Sequence, residues 1–425
     1  MSVERSAVHF DRVAPPRTGA FAWWTDADAR GRRAFIAASF GWMLDSFDVM
    51  LYSMVLAALI EDPTLHLSLA AAGILNSVTL IAAAAGGVAF GVIADRVGRK
   101  RALIAAVLIY SVFTAACGLA QSALQLAIFR ICLGLGMGGE WATGAALVAE
   151  TFPAKHRGKA LAFVQSSWAI GYGLAALVNL LVMPIWGWRG VFFAGVVPAL
   201  FTVWIQQRVE EPAIWQHAAS ADRGRLSTLF ESRFVSNTIA VTCMNACCLF
   251  AWWGLNSWVP AYLRLPETRG GVGLSSSTMS LFVIAMQVGM WFGYVTFGFV
   301  ADVVGRKPAY VSFLAIATVL LPLYGALRAP LPLLVLGPFV AFFGTGYYSG
   351  LGAIVAEIYP TAVRATAAGF TYNIGRLASA AAPLTVGRVA ETRGFGAAFT
   401  MAGAAFLLAA AAWLWIPETQ NRELT

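Results

Sequence analysis

The chain has 425 residues, of which 59% are hydrophobic and only 12% are charged, and its mean hydropathy is +0.71. A soluble domain carries about 25% charged residues, so this composition excludes a soluble globular protein and indicates a polytopic membrane protein. The net charge of +8 does not indicate a nucleic-acid partner, because the basic residues stand in short segments beside apolar runs. The five cysteines lie in apolar stretches without neighbouring histidines, so we expect packing residues and no metal site.

Twelve segments are long and apolar enough to cross a bilayer, which takes about 20 residues of helix. They are predicted at residues 34–60, 71–94, 102–119, 122–149, 160–183, 190–207, 236–262, 277–301, 308–327, 330–356, 366–387 and 395–416. No cleavable signal peptide is expected, because the first apolar run is too long for one. The predicted organisation is an N-terminal segment 1–33, a six-helix bundle 34–207, a linker 208–235, a second six-helix bundle 236–416 and a tail 417–425.

Lysine and arginine are unevenly distributed between the two ends of the predicted helices. With the first residue on the inside, six of the 29 fall in outer loops: Arg189, Arg264, Arg269, Arg328, Arg388 and Arg393. Arg130 and Arg376 lie within spans, and the others are on the inner side. This positive-inside bias predicts that both termini are cytoplasmic, in a bacterial-type cytoplasmic (inner) membrane.

Three charged signatures occur twice, each time 207 residues apart. The segment Gly91-Val-Ile-Ala-Asp-Arg-Val-Gly-Arg-Lys100 returns as Gly298-Phe-Val-Ala-Asp-Val-Val-Gly-Arg-Lys307. Glu150 and Arg157 correspond to Glu357 and Arg364, and Glu211 corresponds to Glu418. Such repetition indicates a duplicated unit, and paired apolar halves are typical of transporters.

All three signatures fall on the predicted inner side, where acids can pair with bases and with helix ends. We predict that they form a cytoplasmic gate that holds the inner side shut when the protein opens outward; plain positive-inside topology is the alternative reading. The predicted gate residues are Gly91, Asp95, Arg96, Arg99, Glu150, Arg157, Asp302, Arg306, Glu357, Arg364, Glu211 and Glu418.

The sequence resembles the major facilitator superfamily over essentially its whole length. The resemblance rests on Asp95-Arg-Val-Gly-Arg-Lys and its second copy, Arg130-x-x-x-Gly134, Glu150 with Pro153 and Arg157, and Pro417-Glu-Thr. It implies an all-α membrane protein with twelve transmembrane helices in two pseudo-symmetric six-helix bundles.

Three segments inside the spans give a narrower resemblance, to metabolite:proton symporters of the sialate, carboxylate and aromatic-acid branches. They are Gly41-Trp-Met-Leu-Asp-Ser-Phe-Asp48, Gly134-Leu-Gly-Met-Gly-Gly-Glu140 and Tyr372-Asn-Ile-Gly-Arg376. The aromatic-acid branch usually has Asp-Gly-Phe-Asp in the first segment, whereas this chain has Ser46. The resemblance implies proton-coupled uptake of a small organic acid by alternating access.

The ionisable residues inside the spans do not repeat. Shifted by 207 residues, Asp45, Asp48, Arg130 and Glu140 fall on uncharged residues, and Arg376 has Ala as its counterpart. An ionisable residue inside a span costs at least about 2.5–3.5 kcal/mol, so each one indicates a function. The acids therefore belong to the first half, while the second half contributes a lone cation.

We hypothesise that Arg376 binds the substrate carboxylate through two parallel hydrogen bonds, and that one or more of Asp45, Asp48 and Glu140 carries the proton. Alternative readings remain: Arg376 or Glu140 can be structural, and Arg130 can pair with an aspartate or only pack between helices. All four histidines lie outside the spans, which leaves the acids as proton carriers. The driving force is then the proton gradient, with no cofactor and no metal, and the protein is expected to be monomeric.

Uncharged groups at mid-depth complete the predicted substrate site, in addition to Arg376. These are Asn373, Gln165, Tyr172, Gln287, Asn256, Trp252 and Tyr347. Glycines 134, 136, 138 and 139 are expected to allow close helix contact and not to bind phosphate, since no Lys-Ser or Lys-Thr pair follows them.

The sequence argues against two other classes of function. A proton antiporter that exports an organic anion or a drug-like compound is the alternative, but span five has no internal proline of the kind found in such exporters. An enzyme is not expected, because no catalytic, nucleotide-binding or metal-binding constellation is present in the sequence.

Overall fold

The computed structural model describes residues 22–152, 157–208, 226–359 and 361–420. Within these ranges the chain is helical and contains no strand. After one turn at Ala22–Thr25, the helices are α1 Ala29–Glu61, α2 Leu69–Val97, α3 Arg99–Cys117, α4 Ala123–Thr151, α5 Arg157–Phe193, α6 Val197–Arg208, α7 Val235–Arg264, α8 Ser276–Val304, α9 Arg306–Ala326, α10 Pro330–Thr345, α11 Leu351–Ile358, α12 Thr361–Ser379 and α13 Ala381–Ala412. Short 3₁₀ turns occupy Ala194–Val196, Leu226–Phe230, Glu267–Arg269 and Gly346–Gly350. Most of the predicted N-terminal segment, most of the predicted linker and the end of the tail lie outside the described residues.

Several helices start earlier in the chain than their apolar runs, because polar residues cap them. The carboxylate of Asp28 accepts a hydrogen bond from the amide of Gly31 at 2.7 Å, so α1 starts five residues before the predicted span. Ser275 caps α8 in the same way, accepting from the amide of Thr278 at 3.1 Å. Such caps satisfy backbone N–H groups at a helix start, which hydropathy alone does not detect.

Two helices contain a sharp turn at a single glycine. Within the described residues, nine segments are long and apolar enough to span a membrane, and those at 159–205 and 369–412 are 47 and 44 residues long. Gly187 and Gly394 interrupt them with φ of +63° and +80°, in the left-handed region that favours glycine. Each long segment is therefore long enough to cross a membrane twice, and the shorter apolar part of α4, Ala123–Gly138, corresponds to the remaining predicted span.

Helix packing repeats between the two halves of the chain. In the first half, α1 packs on α5 and α2 on α4; in the second, α7 packs on α12 and α13, and α8 on α10. Glycines allow close approach in both halves: a Cβ at Gly138 would collide with the carbonyl of Ala83, and one at Gly289 with that of Pro338. The expected close contact around Gly138 is confirmed.

The halves meet through α1 with α7, α2 with α13 and α5 with α8. Side-chain contacts across this boundary lie mainly toward the end that the charge count predicts to face outward, called here the predicted outer end. They include Asn76 with Ser257, Asn179 with Ser276 and Ser280, and Glu61 with Arg264. The structure is therefore closed at the predicted outer end.

Large apolar side chains cover the outside of the helices. Val303, Ile185, Leu414 and Phe299 are between 72% and 81% exposed, whereas many tyrosines and tryptophans are buried between helices. An exposed surface of this kind is stable against lipid and not against water. The protein is an integral membrane protein.

Candidate functional site

Asp45 and Asp48 lie on α1 at mid-depth, and each is only 1% exposed. The hydroxyl of Ser46, between them, donates to the carbonyl of Trp168 at 2.8 Å and fixes α1 against α5. Oδ2 of Asp45 and both carboxylate oxygens of Asp48 have no hydrogen-bond partner in the described parts of the chain. Two buried acids with open hydrogen-bonding capacity are suited to gaining and losing a proton.

The two aspartates face different surroundings. Asp45 lies within electrostatic range of Arg376 in the other half. Asp48 points into the first half: a Cβ added to Gly195 would lie 3.1 Å from its Oδ1 and would collide with Thr114. One acid therefore faces the boundary between the halves, and the other faces the interior of the first half.

Arg376 lies on α12 and is 4% exposed. Among the residues that the structure describes, its guanidinium makes no hydrogen bond and no ion pair within 4.0 Å. Tyr372, one helical turn earlier, lies within electrostatic range of both Arg376 and Asp45. A buried cation, a buried acid and a phenol thus meet between the halves, a combination that can hold a carboxylate and a proton.

Tryptophans form one wall of this region. The ring centroids of Trp168 and Trp252 are 5.5 Å apart across the halves, and those of Trp168 and Trp42 are 4.6 Å apart. Trp253 contacts Trp252 at 4.9 Å in a T-shaped arrangement. Trp252 was in the predicted site, whereas Trp168 was not; its position at mid-span is the signal that could have found it.

Polar and phenolic side chains from both halves lie around Tyr372. Gln165 lies within hydrogen-bonding reach of Tyr294 across the halves. Tyr348 lies within electrostatic range of Tyr294 and Tyr372, and its ring centroid is 4.7 Å from that of Tyr347. The structure therefore connects Gln165 and Tyr347, through Tyr294 and Tyr348, to Tyr372, which is the neighbour of Arg376. Tyr294 and Tyr372 were missed, and only Tyr372 could have been found, since it is one turn from Arg376.

Two predicted residues form a contact between the halves. The hydroxyl of Tyr172 donates to the backbone carbonyl of Asn256 at 2.9 Å, and the Asn256 amide donates to the carbonyl of Trp252 at 3.0 Å. Gln287 is 5% exposed, and its Cβ would lie 3.7 Å from a Cβ added to Gly173, so the two residues are close across the halves. These groups support the boundary just beyond the aspartates and Arg376.

Asn373 is not brought into this cluster. It lies on an exposed face of α12 together with Ile374 and Leu377, which are 43% and 50% exposed. Its side-chain amide donates to the carbonyl of Gly369 within the same helix, at 2.9 Å.

Arg130 is fully buried in the first half. Its guanidinium carbon lies 3.9 Å from the ring centroid of Tyr52, and Nη2 donates to Oδ1 of Asn76 at 2.9 Å. Nε and Nη1 have no hydrogen-bond partner in the described chain, and no ion pair within 4.0 Å joins Arg130 to Asp45 or Asp48. In this state Arg130 is held by an amide and an aromatic ring.

The second copy of the predicted gate is a connected cluster. Arg306 pairs with Asp302 and, at 3.2 Å, with Glu357, and the Thr419 hydroxyl donates to Glu357 at 2.6 Å. The Glu418 carboxylate accepts from the amides of Arg306, Lys307, Thr419 and Gln420 at 2.9–3.0 Å and caps the start of α9. Partial burial raises the pKa of Glu418, but these four backbone hydrogen bonds outweigh it and hold the pKa below its ordinary value of 4.5.

The remaining predicted residues lie outside what the structure describes in detail. The side chains concerned are those of Glu140, Gly91, Asp95, Arg96, Arg99, Glu150, Arg157, Arg364 and Glu211.

A family model described as Major Facilitator Superfamily matches residues 38–288 and 265–425. The chain belongs to the Major Facilitator Superfamily. A probable 4-methylmuconolactone transporter of Cupriavidus pinatubonensis is 34% identical over 384 residues, with 86% of each chain covered. The cis,cis-muconate transport protein of Acinetobacter baylyi is 33% identical over 383 residues, covering 87% of this chain and 90% of the relative.

The fold is also that of solved structures of the superfamily. The xylose transporter of E. coli, in a partially occluded inward-open conformation, matches with a TM-score of 0.74 and 20% identity over 93% of this chain and all of the other. The predicted all-α facilitator fold is therefore confirmed. Because the family and these relatives are transporters, the prediction of a transporter and not an enzyme is also confirmed.

Proposed function

We propose that this protein is a proton-coupled symporter that imports a small organic acid across the cytoplasmic membrane by alternating access. The observation that carries the proposal is that buried Asp45 and buried Arg376 lie within electrostatic range of each other across the boundary between the halves. The proton gradient drives transport without a cofactor or metal, and the unit that transports is a monomer.

Arg376 is the proposed carboxylate-binding residue. Its guanidinium is buried and makes no ion pair within the described chain, so its planar fork of N–H groups is available to a ligand. Arginine stays charged at physiological pH and can bind a carboxylate with two parallel hydrogen bonds. Tyr372, one helical turn away and within electrostatic range of Arg376, is the proposed source of a further hydrogen bond to the carboxylate.

Asp45 is the proposed proton carrier at the boundary, with Asp48 behind it. An ionised Asp45 attracts Arg376 and competes with an incoming carboxylate for the guanidinium. Protonation of Asp45 removes that competition, so proton and anion bind together. The pair carries no net charge, which lowers the cost of moving it through the membrane.

The walls of the site favour a compact, flat acid. Trp168, Trp252 and Tyr348 offer ring faces and edges, while Gln165 and Tyr294 offer hydrogen bonds. Relatives of about one-third identity are named for muconate and for a methylmuconolactone, both small unsaturated acids or their lactones. We propose the same class of substrate for this chain.

The proposed orientation has both termini in the cytoplasm. It is supported by the excess of lysine and arginine at one end of the helices. In this orientation the contacts from Asn76 to Ser257 and from Asn179 to Ser280 close the periplasmic side.

Uptake into proteoliposomes tests the proposal. Radiolabelled cis,cis-muconate, benzoate and lactate are offered with and without an inward proton gradient, and with a protonophore. We expect accumulation of at least one acid that requires the gradient. Uptake that is indifferent to both the gradient and the protonophore would refute proton coupling.

The variant Asp45→Asn separates binding from coupling. It should retain exchange of labelled for unlabelled acid across the membrane and lose accumulation driven by the proton gradient, because the amide takes up no proton. Glu267→Gln, an exposed acid in the loop between α7 and α8, is the matched control and should behave like the unmodified protein. Gradient-driven accumulation by Asp45→Asn equal to that of the control would exclude Asp45 as the carrier.

A further inference from the structure

The side chain of Asn76 joins the two halves and a buried arginine at the same time. It is 3% exposed; its amide nitrogen donates to Oγ of Ser257 at 2.7 Å, and its oxygen accepts from Nη2 of Arg130 at 2.9 Å. Arginine has no acceptor, so the amide oxygen must face Arg130 and the NH₂ group must face Ser257. One rigid planar group therefore makes both contacts.

Arg130 depends on this amide. The bond to Asn76 is its only hydrogen bond in the described chain, and its remaining contact is the Tyr52 ring at 3.9 Å. Asp48 is buried in the same half, with the Thr114 hydroxyl beside it but no hydrogen bond to either carboxylate oxygen in the described chain, and the Cys117 thiol lies within electrostatic range of both Asp48 and Arg130. An arginine and an acid thus flank the same thiol without pairing, an arrangement that requires Arg130 to be held elsewhere.

Separation of the halves would remove that restraint. Ser257 lies on α7 and Asn76 on α2, so opening the predicted outer end moves the two apart. Without Ser257 the amide can rotate, and Arg130 is then free to turn toward Asp48. We propose that Asn76 is a positioning residue, which keeps Arg130 away from Asp48 while the outer side is closed and releases Arg130 when the outer side opens. This inference rests on the proposed proton coupling.

The coupling predicts that pH affects closure of the outer side. When the outer side is open, Arg130 can pair with ionised Asp48; when it is closed, Asp48 is better accommodated in its protonated form. In the described chain, Asp45 on α1 and Cys117 on α3 lie within electrostatic range of Asp48, and Tyr52 on α1 and Arg130 on α4 lie around the same thiol. Between pH 5.5 and 7.5 the thiol and the phenol stay uncharged, so the charged neighbours are Arg130 and, whenever it is ionised, Asp45.

Hydrogen–deuterium exchange of the full-length protein in nanodiscs measures this closure without a ligand. Exchange of amides in residues 258–274, at the outer end of α7 and its loop, is followed at pH 5.5 and 7.5 and corrected for the intrinsic rate. For the unmodified protein we expect about tenfold faster corrected exchange at the higher pH, since a difference of one pKa unit between two states is a tenfold change in equilibrium.

Two variants remove similar contacts with different consequences. Asn179→Ala deletes the other Asn–Ser contact between the halves, to Ser276 at 3.2 Å and Ser280 at 2.9 Å, and that contact has no link to Arg130. It should speed exchange at both pH values and keep the tenfold ratio. Asn76→Ala should also speed exchange, but with a ratio below about twofold, since Arg130 is then free in both states.

Ser257→Ala leaves Asn76 in place and removes only its partner in the other half, so it keeps the test decisive if Asn76→Ala fails to fold. We expect its ratio to fall as well. The quantity compared is the ratio of corrected exchange rates at pH 7.5 and pH 5.5. If this ratio in Asn76→Ala or Ser257→Ala equals the ratio in Asn179→Ala, the inference is overturned. If the inference about Asn76 fails but muconate accumulation in the unmodified protein requires the proton gradient, the proposed function still stands. If accumulation does not require the gradient, both the proposed function and the inference about Asn76 are overturned.

Discussion

The hydrogen bond from Tyr172 to the carbonyl of Asn256 supplies a donor that α7, a helix of the other half, lacks. Pro260 lies inside α7 and has no N–H, so the carbonyl of the residue four positions earlier, Asn256, lacks its usual helical donor. The Tyr172 hydroxyl, from α5, donates to this carbonyl at 2.9 Å and is buried. The closed state therefore contains a hydrogen bond that opening of the outer side would break.

The substitution Tyr172→Phe removes this donor and leaves a buried carbonyl unsatisfied. Such a loss costs about 1–3 kcal/mol, which corresponds to about a 5- to 150-fold shift of a two-state equilibrium. The outer side should therefore open more often by that factor. Exchange of amides in residues 258–274, measured as above, reports the change in the free energy of opening.

A double-mutant cycle with Pro260→Ala identifies the cause. Alanine at 260 restores an N–H to the Asn256 carbonyl, so Tyr172→Phe should cost less in that background by about 1 kcal/mol or more. Tyr262→Phe is the matched control, because the Tyr262 hydroxyl bonds the Leu327 carbonyl within one half. An equal effect of Tyr172→Phe in both backgrounds, or no effect in either, would refute the reasoning.

Arg376→Lys should raise the half-saturation concentration for cis,cis-muconate uptake about tenfold or more, because a lysine ammonium cannot form the two-pronged carboxylate contact; an unchanged value would argue against substrate contact. Glu418→Gln should lower thermal stability in detergent at pH 7 by about 1–2 kcal/mol, after allowance for solvent screening of this exposed group. Because the folded pKa of Glu418 is depressed, its stabilisation is present above pH 4.5 and is lost as the pH falls below that value, so the difference from Glu418→Gln should shrink on acidification. A difference independent of pH would contradict this.

The positions of the spans could be predicted because a bilayer imposes both length and hydropathy on a helix. The turn at Gly187 fell in the predicted gap between residues 183 and 190. The 3₁₀ turn Gly346–Gly350 was missed: it lies inside a predicted continuous span, and a change from α to 3₁₀ geometry leaves hydropathy unaltered. Helix starts were missed where polar caps extend a helix, as at Asp28.

The candidate site was predictable only in its charges. A charged side chain in an apolar span is conspicuous, so Asp45, Asp48, Arg130 and Arg376 could be singled out from sequence. Which groups surround them depends on packing between distant helices. Helical spacing gave no reason to prefer Tyr294 or Tyr348, or to separate Asn373 from Arg376, and the role of Asn76 depends on contacts with two other helices.

Gly187 and Gly394 stand 207 residues apart, and each turns the chain between two membrane crossings within a single residue. Such a connection has no spare length, so an added residue there cannot be absorbed locally and must displace one of the two helices it joins. Epitope tags, fluorescent-protein fusions and glycosylation acceptor sites placed at these turns should therefore abolish folding. The longer loop between α7 and α8 offers a position for the same labels.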